Sequence, residues 1–138
     1  MLLGRDGTAW LIGFGEFPPP APEVFGNPLH LAPEQFSSGE LTPATGVYCL
    51  SETCFWVLCG SHPFHQIRAT DLQAAKNSGH FTRGIRKSRP EISPAIEQVL
   101  LRGLSPDPTA RYRSPAEFVA ALAEAHSAEK RAWWRLWG

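Results

Sequence analysis

The 138-residue chain carries 13 basic and 13 acidic side chains, so its formal net charge is zero, and no broad field draws it to nucleic acid or an anionic membrane. A hydrophobic content of 43% fits one soluble domain with a modest core. Thirteen prolines and twelve glycines assign much of the chain to loops, and no basic segment with a long apolar run marks a signal peptide at the N-terminus.

Residues 1–17 read as a β-hairpin, with Leu2 and Leu3 leading into Arg5-Asp6-Gly7 and Trp10, Leu11 and Ile12 returning. Gly13-Phe14-Gly15 follows without a helix signal, so it is a weak phosphate cradle. Phe17-Pro-Pro-Pro-Ala-Pro22 then gives a stiff surface loop, with an SH3-type ligand as the alternative. Pro33 suits the first turn of a short helix carrying Glu34, Gln35 and Phe36, and 37–45 is loop. Thr42 is an N-cap candidate for the next element.

Gly46–Gly60 is the most apolar stretch. Its polar residues, Ser51, Glu52 and Thr53, are consecutive, so on a helix they point about 100° apart and leave no polar stripe. The pattern predicts a central buried helix over about 43–60, wrapped by the chain and too short to cross a bilayer. A buried strand is the alternative. Cys49, Cys54 and Cys59 match no zinc or redox spacing and read as small buried hydrophobes of a reducing, cytoplasmic compartment. Gly60 is a suitable helix stop.

His62-Pro63-Phe64-His65 is a turn whose histidines lack carboxylate or cysteine company, so no metal is expected there. Residues 65–78 carry Ile67, Leu72, Ala74 and Ala75 at loose helical spacing. Arg83–Arg89 is a basic cluster, either solvated loop or a contact for an acidic partner or phosphate. Pro94–Leu104 is amphipathic, with Ile96, Val99, Leu100, Leu101 and Leu104 on one face. Ser114-Pro115-Ala116-Glu117 is a capping box that opens a last helix through about His126, with Phe118, Val119 and Leu122 inward. In the tail, 129–138, Trp133, Trp134 and Trp137 interleave with Arg131 and Arg135. It reads either as a helix extension folding back on the domain or as an anchor for a membrane surface or partner.

Four segments in order resemble bacterial-type Ser/Thr protein kinases. Residues 2–15, ending in Gly13-Phe14-Gly15, resemble the hairpin that ends in Asp-Phe-Gly. Gly26-Asn-Pro-Leu-His-Leu-Ala-Pro-Glu-Gln35 resembles Gly-Thr-Pro-x-Tyr-Met-Ala-Pro-Glu-Gln. Thr45-Gly-Val-Tyr-Cys-Leu-Ser51 and Gly60–Phe64 resemble Ser-Asp-Val-Tyr-Ser-Leu-Gly and the following Gly-x-x-Pro-Phe. Leu104–Ser114 resembles Leu-x-x-Asp-Pro-x-x-Arg-Tyr-x-Ser. The resemblance implies a mainly α fold: a truncated kinase-like C-lobe over 1–128 with a short N-terminal hairpin, a degenerate activation segment (16–36) and a helical part (43–128). The central helix would have three or four helices around it.

The same resemblance implies an inactive chain. It would begin beyond the catalytic loop, without the Gly-rich loop, the strand Lys and its partner Glu. Gly13 stands at the metal-binding Asp and Gly46 at the Asp that holds the catalytic loop. Residues 16–35 contain no Ser, Thr or Tyr, so phosphorylation cannot switch them. Glu34 and Arg111 should meet in a structural ion pair. No catalytic residue, cofactor or metal is expected, and ATP and Mg enter only if the chain is a fragment or split half of an active kinase. A missing helix would bare one side of the central helix, to be covered by the tail, a second copy or a protein partner. Residues 65–78 resemble a docking helix, which puts a partner surface at Arg68, Leu72 and Gln73. The expectation is a pseudokinase-like interaction or regulatory module; a kinase fragment and a decayed gene product are the alternatives.

Overall fold

The computed structural model describes residues 2–3, 5–6, 9–10, 28–37, 41–81 and 84–137, with side chains in the last helix as far as Ala128. Gly13-Phe14-Gly15 and the proline-rich run lie outside the described residues. Two short antiparallel strands, β1 (Leu2–Leu3) and β2 (Ala9–Trp10), pair Leu2 with Trp10 and Leu3 with Ala9. The expected hairpin is therefore present in these strands. Two 3₁₀ turns follow, Pro28–His30 and Pro33–Phe36.

Among the described residues five α-helices follow: α1 (Pro43–Cys59), α2 (Ala69–Ser78), the single turn α3 (Ile85–Ser88), α4 (Pro94–Gly103) and α5 (Pro115–Trp137). Helix rather than strand is the form taken by 43–59. Thr42 N–H donates to Thr45 Oγ1 at 3.1 Å at its start. Gly60 ends it in the left-handed region at φ 69°, where a side chain would be strained.

Helix α1 is central, against α4 and α5, but it is not wrapped all round. Val47, Tyr48, Ser51, Glu52 and Phe55 face inward, whereas Trp56 and Val57 are 49% and 64% exposed. Leu50 and Cys54, on that outer side, are half-buried. Ser51 and Glu52 thus lie inside with Val47, Tyr48 and Phe55, while the side carrying Trp56 and Val57 is left open.

Other boundaries also move. Gln66 adopts φ 68°, which interrupts any helix from His65, so α2 begins only at Ala69. Arg86 and Lys87 of the basic cluster lie exposed on α3. On α4, Ser93 Oγ accepts Ile96 N–H at 3.3 Å and caps the helix. Leu100 and Leu104 are buried, but Leu101 points outward, as does Val119 on α5. The Ser114 cap is present, with Oγ accepting Glu117 N–H at 3.2 Å. Glu117 returns its carboxylate to Arg113 N–H at 2.8 Å, one residue earlier than a standard box. Helix α5 runs past His126 to Trp137 because Ser127–Trp137 contains no Gly or Pro to stop it.

Candidate functional site

Two ionic networks fasten the 28–36 segment to the helices. In the first, Arg111 follows the short turn at Pro108–Ala110 and is only 2% exposed. Its Nη1 and Nη2 donate to Glu34 Oε1 and Oε2, both at 2.8 Å. The other donors reach carbonyls: Nε to Ser105 at 2.7 Å, Nη1 to Ala44 at 3.0 Å and Nη2 to Pro106 at 3.0 Å. All five N–H groups are thus satisfied, as burial of a guanidinium demands. The guanidinium also stacks over Tyr48 at 4.8 Å. Burial pushes the Glu34 carboxyl up, but the Arg111 hydrogen bonds outweigh it and hold the pKa below its ordinary 4.5.

The second network centres on Glu52, 1% exposed on α1. Lys76, fully buried on α2, donates from Nζ to Glu52 Oε1 at 2.6 Å, Leu29 O at 2.8 Å and Leu31 O at 2.6 Å. Three acceptors meet the three ammonium protons, and the Tyr48 and Phe64 rings lie 5.2 and 5.0 Å away. Burial alone pulls the Lys76 amine down from its ordinary value; Glu52 opposes it. On the other side of Glu52, Oε2 faces His62 Nε2 at 3.4 Å and His30 Nδ1 at 3.7 Å. Burial raises the Glu52 carboxyl, yet the two imidazoles and Lys76 hold its pKa below the ordinary value.

The expectation that His62 has no carboxylate company is therefore corrected. The turn after Gly60 folds His62 back over α1, beside Glu52, while His65 points to solvent. Sequence reasoning missed Glu52, Lys76 and His30; an acid inside an apolar helix was the available signal, since a buried carboxylate needs partners.

Glu34 and Arg111 are brought together as expected, but Leu72 is not on a surface. It is buried at 2% because Leu72, Ala75 and Lys76 form the inward face of α2. Arg68 is exposed and pairs with Asp71 at 2.9 Å, and Gln73 is exposed. Gly46 is exposed on α1. Gly13 lies outside the described residues, as do the side chains of Trp133, Trp134 and Trp137. The three cysteines are free thiols, and burial raises each pKa, that of Cys49 to about 11. All three are half-buried rather than fully enclosed, and a raised pKa disfavours the thiolate form. Among the described residues, no helix is long and apolar enough to cross a membrane.

The chain is 29% identical over 134 residues to the serine/threonine-protein kinase PknH of Mycobacterium bovis, covering 92% of this chain and 22% of that protein. The chain resembles bacterial Ser/Thr protein kinases. It is 28% identical over 138 residues to PknE of Mycobacterium tuberculosis, covering 93% of this chain and 23% of that kinase. Against PrkC of Bacillus subtilis it is 27% identical over 107 residues, 78% of this chain and 16% of the other. This kinase-like chain thus spans about a fifth of the length of the curated relatives it matches. No family model matches it. The mainly helical fold, with four helices beside α1, agrees with a kinase-like C-lobe.

Proposed function

We propose that this chain is a catalytically inactive, kinase-like C-lobe portion that works by binding protein. The observation that carries the reading is the outer side of α1, where the neighbouring Trp56 and Val57 are exposed although the helix is central to the fold. Two large apolar side chains exposed side by side suit a contact face. The ion pair of Glu34 with Arg111 ties the 33–36 turn to the 105–111 bend and the start of α1. Loss of phosphoryl transfer rests on Gly13, which has no carboxylate for Mg²⁺. Arg68 and Gln73, exposed on α2, offer a polar contact, and the tryptophan tail a second anchor on a partner or membrane surface.

The test is capture of the native product from its source cells and native mass spectrometry of what accompanies it. A stoichiometric protein companion, lost on Val57→Asp in a variant that still melts cooperatively, is the expected result. A product without a companion, or one that keeps it through Val57→Asp, would overturn the reading.

A second reading is favoured by the short span of the kinase relatives: the chain is part of a Ser/Thr kinase whose N-lobe and catalytic loop come from upstream sequence or another chain. Its α1 face would then be covered within that kinase, with ATP and Mg²⁺ as cofactors. Mg·ATP binding by the native product distinguishes it.

A further inference from the structure

We propose that His30, Glu52 and His62 form a binding site for a first-row divalent cation, with zinc the best fit. One ligand atom of each lies within 4.8 Å of the other two, although the three residues are scattered in sequence. His30 ends the 3₁₀ turn at Pro28–His30, Glu52 sits on the inner face of α1, and His62 follows the stop at Gly60. Two of the three donor atoms, Glu52 Oε2 and His62 Nε2, are buried, face each other at 3.4 Å without a well-aligned hydrogen bond, and have no other hydrogen-bond partner among the described residues. Buried polar atoms are seldom left so, and an absent ion is one of the recognised explanations.

The donor set fits the chemistry. Two imidazoles and one carboxylate form a three-ligand zinc site with a fourth position open to water. Imidazole ligands favour zinc and its neighbours over calcium or magnesium, which take oxygen. Lys76 occupies only Oε1 of Glu52, so Oε2 remains available and the carboxylate is oriented from behind. The His30 side chain is 47% exposed and gives the cation a way in.

Loading carries one requirement. Phe64 N–H donates to His62 Nδ1 at 3.2 Å, which leaves the ring proton of the metal-free chain on Nε2. A cation at Nε2 moves that proton to Nδ1 and breaks the Phe64 bond. Metal binding therefore has a signature in the tautomer of His62.

The experiment is a zinc chloride titration of the untagged, chelator-treated chain in competition with a chromophoric chelator. Cobalt chloride spectra and ¹⁵N-histidine NMR complete it. One zinc per chain is expected, with a His62 tautomer switch, a cobalt spectrum free of thiolate charge transfer, and affinity weakened about tenfold or more by His30→Ala. His65→Ala, in the same turn but outside the cluster, should bind as the parent does. Glu52→Gln should abolish binding, but it also strands Lys76; the surface variant His30→Ala keeps the test valid if Glu52→Gln does not fold. Absence of stoichiometric zinc, thiolate charge transfer from the cysteines, or unchanged affinity in His30→Ala would each overturn the site.

Discussion

Arg111 reaches three parts of the chain at once: Glu34, the start of α1 at Ala44, and the Ser105–Pro106 bend. Arg111→Ala leaves the Glu34 carboxylate without its counter-ion, and the expected cost is ~3–5 kcal/mol in a denaturant melt. An unchanged melt would mean that the pair does not form. Tyr48 is the opposite case, because its buried hydroxyl has no hydrogen-bond partner among the described residues. Removing it should relieve a desolvation penalty, so Tyr48→Phe is expected to stabilise by about 1 kcal/mol. A lower melting temperature would reveal a partner for that hydroxyl. Of these two residues only Arg111 was legible in the sequence, through the motif around Asp107-Pro108 and its resemblance to kinases. Nothing near Tyr48 in the chain reports whether its hydroxyl will be satisfied.

At the scale of elements, α4 crosses α1 at Gly103. A Cβ added there would lie 1.9 Å from Ser51 Oγ and 2.9 Å from Ser51 Cβ. Rotating the hydroxyl relieves the first contact but not the second, so Gly103→Ala must push the helices apart. The expected loss is about 1–3 kcal/mol, the usual penalty of overpacking, read as a lower denaturant midpoint. The double variant Ser51→Gly with Gly103→Ala should recover most of it. Helices α4 and α5 were legible because their apolar periodicity and caps are local signals. Their rims were not: Leu101 and Val119 continue the apolar pattern but fall on the outward side. Helix α1 was legible as a helix, yet not its orientation, because three consecutive polar residues define no stripe. The ammonium that pairs with Glu52 lies 24 residues further on, a distance no local pattern spans.

For the whole molecule, both networks join the 28–36 segment to the helices through carboxylates whose pKa values lie below the ordinary 4.5. Their stabilisation is present above that value and is lost as pH falls through the folded-state pKa values. The melting temperature should therefore hold from neutral pH to about 5 and drop below it. Glu34→Gln should flatten that acid limb; an equally steep limb would place the titrating groups elsewhere.

The kinase-like scaffold without phosphoryl transfer is the claim that reaches furthest, and one measurement bears on it most directly. It is transfer of γ-labelled phosphate from Mg·ATP by the native product, isolated with whatever accompanies it. No transfer to itself, to its companion or to a general acceptor protein is the expected result. Transfer that follows the product through purification would contradict it and make the chain part of a working kinase.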